Sequence, residues 1–212
     1  MIINWLGHSF FKIETQNNVI AIDPFNEEKV GVKPSRFKAS ISLSTHDHMG
    51  HNNLDLIMGD PFVLKTPGEI EINDIFIKGI ESSHNGANDD LIKNTIFIID
   101  SEEIRLVHLG DYSDKKIKDN LLEKLGNVDI LLLPISDKKG GKLVEEAGSI
   151  VKQIEPKIVI PMHYDPKKEK NILDRFVKEV GAKPEELDKL NIRKNNISED
   201  EDSPIQLIIL QN

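Results

Sequence analysis

The chain reads as a mixed α/β fold on three observations. Its first half is a series of short β-rich segments, its second half alternates helical and strand patterns, and polar residues stand at the strand ends. The β-rich segments cover residues 2–6, 10–14, 19–23, 41–44, 75–80, 95–99 and 104–108. Each is rich in Ile, Val or Phe and is broken by Asn, Asp, Gly or Pro. Gln16-Asn17-Asn18 suits a tight hairpin between the second and third segments. A helix follows, with Ser113 as its cap, Ile117, Leu121, Leu122 and Leu125 on one face, and Gly126 at its stop. Residues 130–133 form the next strand, and Leu143, Val144, Ala147, Ile150, Val151 and Ile154 share the face of a second helix. Glu145 and Glu146 read as its solvated side. A strand over 158–160 follows. Residues 181–203 are polar and charged, which suits a partly helical surface excursion with a mobile acidic tip at Ser198-Glu199-Asp200-Glu201-Asp202-Ser203. Residues 204–210 make a closing strand.

A chain of 212 residues fits one domain over 1–212, long enough to bury a substantial core. With 27 Lys plus Arg against 36 Asp plus Glu, the formal net charge is -9. Such a surface is a poor partner for nucleic acid, whose non-specific affinity comes from neutralised phosphates. No apolar run approaches the length of a membrane span, and Met1-Ile2-Ile3-Asn4-Trp5-Leu6-Gly7 lacks the basic flank and apolar core of an export signal. The expected protein is soluble and cytoplasmic. Its expected partner is a small-molecule substrate, with self-association left open.

Histidine is the informative residue. Three of the seven fall in Thr45-His46-Asp47-His48-Met49-Gly50-His51, directly after a strand-forming run, and His84, His108 and His163 each close a further hydrophobic run. Neutral imidazole is the commonest ligand of zinc and related metals, and three rings on one loop suit a metal better than an ordinary polar loop. Because the chain has no cysteine, any metal would be held by His nitrogen and carboxylate oxygen, which favours Zn, with Mn or Fe as alternatives. The carboxylates at strand ends are Asp23, in Ile22-Asp23-Pro24, and Asp111, in His108-Leu109-Gly110-Asp111.

In this order and at these separations, Asp23, the His46/His48/His51 loop, His84, Asp111 and His163 resemble the five motifs of the metallo-β-lactamase superfamily over nearly the whole chain. The segments Asn4-Trp5-Leu6-Gly7-His8-Ser9-Phe10 and Ile160-Pro161-Met162-His163-Tyr164 look like its branch of small Zn-dependent hydrolases that includes L-ascorbate-6-phosphate lactonase. The resemblance implies a four-layer αβ/βα sandwich with one or two metal ions between the halves. It implies His46, His48 and His84 on one ion, His51 and His163 on the other, and Asp111 bridging. Asp23 would orient the ligand loop from behind, or simply form a turn before Pro24. His108 would support the site or serve as a buried strand residue, and His8 would line the mouth or anchor its own loop. The implied activity is hydrolysis of a small ester, lactone or phosphate-bearing substrate by a metal-activated water, with Asp111 and His51 as the catalytic pair managing its proton. Lys138 and Lys139, after the 130–133 strand, could meet an anionic substrate or be merely exposed.

One position departs from the pattern. The superfamily motif is H-x-H-x-D-H, and its Asp is Gly50 here. A ligand and a base are lost together, so a non-catalytic member that binds metal or ligand is the alternative reading, with a nuclease of the same superfamily a weaker one. Restoring Asp at Gly50 is expected to strengthen the second metal site.

Overall fold

The computed structural model describes residues 1–85, 90–136, 143–200 and 202–212. In chain order the strands are β1 (Ile2–Trp5), β2 (Phe11–Glu14), β3 (Val19–Ile22), β4 (Phe37–Lys38), β5 (Ile41–Leu43), β6 (Ile57–Met58), β7 (Phe62–Leu64) and β8 (Gly68–Ile72). They continue with β9 (Ile75–Asn85), β10 (Leu91–Ser101), β11 (Ile104–His108), β12 (Ile130–Pro134), β13 (Ile158–Met162), β14 (Pro184–Leu187), β15 (Leu190–Asn191) and β16 (Gln206–Leu210). The helices are α1 (Glu27–Val30), α2 (Asp119–Leu125), α3 (Leu143–Ile154) and α4 (Lys170–Val180).

Two mixed sheets face each other. One runs β15-β1-β2-β3-β5-β7 and the other β14-β16-β13-β12-β11-β10-β9-β8. The side-chain alternation of a strand sets the layers. On β3, Ile20 and Ile22 enter the main core between the sheets, while Ala21 and Val19 face a smaller cluster with Phe10, Phe25, Ala39 and Ile57. The outer layer on that side is thin, made of the single turn α1 and the β4-β6 ribbon. Every residue of β12 and β13 is buried, as parallel strands covered on both faces should be. α3 packs on β12 and α4 packs on α3. This is the expected α/β sandwich.

The segment 181–203 differs from its expected form. It contributes β14, parallel to β16 in one sheet, and β15, antiparallel to β1 in the other, with a 3-10 turn at Lys194–Asn196 and no α-helix among its described residues. Its polarity reflects edge strands, which leave residues such as Glu185 and Glu186 in solvent. Ser113 does not cap α2, which begins at Asp119 behind Lys118. The Tyr112 hydroxyl donates to Lys116 O at 2.9 Å and ties the intervening residues into a turn, while Ser113 Oγ accepts from the Asn85 N–H at 3.0 Å. Among the described residues no helix is long and apolar enough to cross a membrane.

The site follows from strand ends. His8 follows β1, Asp23 follows β3, and the His46 to His51 loop follows β5, all in one sheet. In the other sheet, His84 lies at the end of β9, Asp111 follows β11 and His163 follows β13. Both sheets therefore deliver ligand-type residues to one cleft.

Candidate metal centre

Asp111 stands at the middle of the cluster. Its Oδ2 lies 3.2 Å from His51 Nε2 and 3.7 Å from His46 Nε2, and its Oδ1 lies 3.3 Å from His163 Nε2. The carboxylate thus faces histidines on two sides, as a bridging group must. Its approach depends on Gly110, whose φ is +60° and where a Cβ would fall 2.2 Å from Asn94 Oδ1. Asn94 is buried inside β10 and holds the turn: its Oδ1 accepts from Asp111 N–H at 3.1 Å, and its Nδ2 donates to Leu109 O at 3.0 Å.

Asp23 performs the orienting role. Buried, with φ +53°, it accepts from Thr45 N–H at 2.7 Å, from the Thr45 hydroxyl at 2.8 Å and from His51 Nδ1 at 2.8 Å. Thr45 Oγ1 in turn meets His46 Nδ1 at 3.0 Å. One carboxylate therefore sets two rings with their Nε2 atoms toward Asp111. His163 is set by a different partner, its Nδ1 donating to Ser136 O at 2.9 Å. His84 Nδ1 reaches Asn85 O at 3.3 Å, and His48 Nδ1 accepts from Gly50 N–H at 3.2 Å.

The geometry allows three overlapping ligand groups, each with one donor atom per residue and all donors within 4.8 Å of each other: His46/His48/His51, His46/His84/Asp111 and His8/His51/His163. Three buried atoms at their centre have no hydrogen-bond partner among the described residues, namely His51 Nε2, His84 Nε2 and Asp111 Oδ1. Buried polar atoms are rarely left so, and a cation on these nitrogens and oxygens would satisfy them together. The donor set fits a metal.

Charge is arranged to match. Burial would lower the His51 pKa, yet Asp111 and Asp23 outweigh it and hold the imidazole protonated up to about 10. Burial would raise Asp111, but His163 and His51 hold it well below the usual carboxylate range, and His51 holds Asp23 down against its burial. Burial, reinforced by His51, lowers His46 to about 3, and burial lowers His84 and His8 as well. The protein without metal keeps one proton on His51 between two carboxylates, and keeps His46, His84 and His8 neutral with lone pairs free for ligation.

One expectation changes, and two alternatives are resolved. His51 is wholly buried beneath the cleft, so it can hold an ion but cannot touch a substrate as half of a catalytic pair. His108 reaches no ligand side chain, because Nε2 meets Ser9 O at 3.1 Å and Nδ1 accepts from Gly110 N–H at 3.1 Å. It anchors the backbone beside His8 and Asp111. His8 lines the cleft, one of its two expected places, and its ring centroid lies 4.0 Å from that of His163 and 5.1 Å from that of His51.

The cleft above the cluster measures about 1060 Å³. His8, His46, His48, His84, Asp111 and His163 line it, Val30, Val32, Ile92 and Leu143 give it apolar wall, and Lys29, Lys115 and Lys167 stand at its border. Glu146 also borders it, with one buried carboxylate oxygen lacking a hydrogen-bond partner among the described residues, although Glu145 is solvated beside Arg175. At three residues after Leu143 and four before Ile150, Glu146 shares the edge of the apolar face. Lys138 and Lys139 lie outside the described residues. Sequence reasoning passed over Thr45 and Asn94. A polar residue inside the apolar β10 was the available signal for Asn94.

Residues 2–163 match the family model described as a beta-lactamase superfamily domain. A UPF0173 protein of Pyrococcus furiosus is 31% identical over 192 residues, covering 77% of this chain and 83% of its own. A UPF0173 metal-dependent hydrolase of Bacillus mycoides is 30% identical over 201 residues, covering 78% and 86%. Among solved structures, a Thermotoga maritima protein of the metallo-beta-lactamase superfamily, named as a Zn-dependent hydrolase, superimposes with a TM-score of 0.76 at 27% identity over 99% of each chain.

Proposed function

Since the chain belongs to the metallo-beta-lactamase superfamily, within the UPF0173 family of metal-dependent hydrolases, we propose that its histidine cluster holds two ions, zinc foremost, and hydrolyses a small ester, lactone or phosphate-bearing substrate. That it is a metal-dependent hydrolase is the common ground of its relatives. The observation that carries the reading is the trio of buried atoms His51 Nε2, His84 Nε2 and Asp111 Oδ1, gathered at and just beneath the floor of one cleft with no hydrogen bond among the described residues. His46, His48 and His84 would hold one ion, His51 and His163 the other, with Asp111 shared. When bound, such ions acidify a water and polarise the carbonyl or phosphoryl oxygen under attack.

The chain's own groups do the rest. Asp111 is kept ionised at the cleft floor, so its carboxylate is ready to be shared by the ions and to orient the attacking water by accepting a hydrogen bond from it. Asp23 and Ser136 O fix the tautomers of His51 and His163 by holding their Nδ1 protons. The apolar wall of Val30, Val32, Ile92 and Leu143 receives the body of the substrate, and Lys29, Lys115 and Lys167 favour an anionic substituent on it. A sugar-phosphate lactone, the substrate class of the lactonase branch, falls within this description. Nitrogen-rich donors without thiolate favour zinc over harder cations.

Metal per chain by plasma mass spectrometry, on protein purified without chelator or nickel resin, is expected near two. Screening of esters, lactones and phosphate esters is then expected to find a hydrolysis that His48→Ala abolishes. A fully active His48→Ala protein would sink the reading.

A further inference from the structure

Gly50 stands where the superfamily motif has Asp, and its backbone does not explain the glycine. It is absent from the residues with positive φ, so any L-residue could adopt its conformation. What crowds a side chain here is a pair of neighbouring rings. A Cβ at Gly50 would lie 3.0 Å from His8 Nε2 and 3.1 Å from His48 Nδ1. The His8 and His48 rings would each have to give by a few tenths of an ångström to admit a side chain at residue 50.

His8 is also held in place for a purpose its own loop does not require. Gly7 and His8 take consecutive positive φ values of 96° and 54°, a costly conformation for the histidine. The His8 carbonyl accepts from His163 N–H at 2.8 Å and from Trp5 Nε1 at 2.8 Å, which clamps the β1-β2 loop to the loop after β13. The next carbonyl, Ser9 O, is held by His108. Among the described residues no hydrogen bond is made by either ring nitrogen of His8, yet one of them converges with nitrogens of His51 and His163 within 4.8 Å.

We propose that His8 is a ligand of the second metal ion, supplying by its imidazole the donor that the superfamily motif takes from the Asp at position 50. With glycine at 50, the His8 ring that enters from the β1-β2 loop meets no side chain there and has the space to reach the second ion. The second ion gains a His8/His51/His163 set with Asp111 and carries one carboxylate fewer than the motif provides. This inference rests on the two-ion reading above, and it reverses the expectation that Asp restored at Gly50 strengthens the site, since that Asp would meet His8.

The test loads metal-stripped protein with Zn2+, and in parallel with Co2+, then reads ions per chain after gel filtration and the visible Co2+ spectrum. Circular dichroism confirms the fold of each variant. The native chain is expected to hold two ions. His8→Ala, and His8→Asn as a milder variant, are expected to hold one, with second-ion affinity reduced by more than the roughly 10–100-fold that losing an outer partner costs. Gly50→Asp alone is expected to gain nothing, while the double variant His8→Ala/Gly50→Asp regains the second ion with a Co2+ spectrum altered by the change from nitrogen to oxygen. Two ions at native affinity in both His8 variants would overturn the ligand assignment while leaving the hydrolase reading intact, as would a folded double variant that stays at one. A native chain that holds no ion would overturn both.

Discussion

The two ends of the histidine cluster are built in different ways. At one end, His46 and His48 sit two residues apart on a loop after β5, and His46 is set through Thr45 by Asp23. At the other, His8 and His163 come from loops in different sheets and are tied to each other through a backbone hydrogen bond from His163 N–H to His8 O of 2.8 Å. The first end is local and hydrogen-bonded by side chains; the second exists only once both sheets have closed. His51 and Asp111 belong to both ends. The lesson is that a motif can lose a residue at the local end and recover its chemistry from a distant strand.

The largest break should come from Asp23, where both ends meet. Asn at that position puts a donor amide against a group that also donates, because Asp23 accepts from Thr45 N–H, the Thr45 hydroxyl and His51 Nδ1. Asp23→Asn is expected to weaken both ions by roughly 10–100-fold, read by competition with a chromophoric chelator. Native affinity at both ions would mean that the loop holds its rings without the clamp. The next effect is on folding. His108→Leu orphans the Ser9 carbonyl and the Gly110 N–H, at roughly 1–3 kcal/mol each, and should lower the urea midpoint of the metal-free protein accordingly. Its two partners flank His8 and Asp111, so the second ion should weaken more than the first. Equal weakening would count against separate anchoring of the ends.

This contrast also marks what the sequence could show. The run from His46 to His51 is legible because strand, turn and ligands are contiguous, and Asp23, Asp111 and His163 are legible because they end hydrophobic runs. His8 was placed at the mouth but not beside His51 and His163, since nothing local tells a loop histidine which distant residue its ring will meet. Asn94 and Gly110 escaped for the same reason, since their meeting is a property of β10 and β11 brought side by side. In the fold, α4 was passed over although Ile172, Leu173, Phe176, Val177 and Val180 recur at helical spacing, and β14 escaped because an edge strand reads as a polar loop. Long-range pairing supplied what periodicity lacked.

The smallest effect offers the sharpest discrimination between the ends. Trp5 stacks on Tyr164 with ring centroids 5.0 Å apart and 18° between planes, and donates from Nε1 to His8 O at 2.8 Å. Trp5→Phe keeps an aromatic surface for Tyr164 and removes that donor, while His8 O retains its bond from His163 N–H. The expected loss is about 0.5–1.5 kcal/mol, which appears as a roughly 2–10-fold weaker second ion if His8 must be held to ligate it. The first ion, fixed through Thr45 and Asp23, should be unchanged in the same Co2+ titration. An equal drop at both ions would show that Trp5 acts through the stability of the whole sheet, whereas no drop at either would show that the His8 ring finds its place without help from its own backbone.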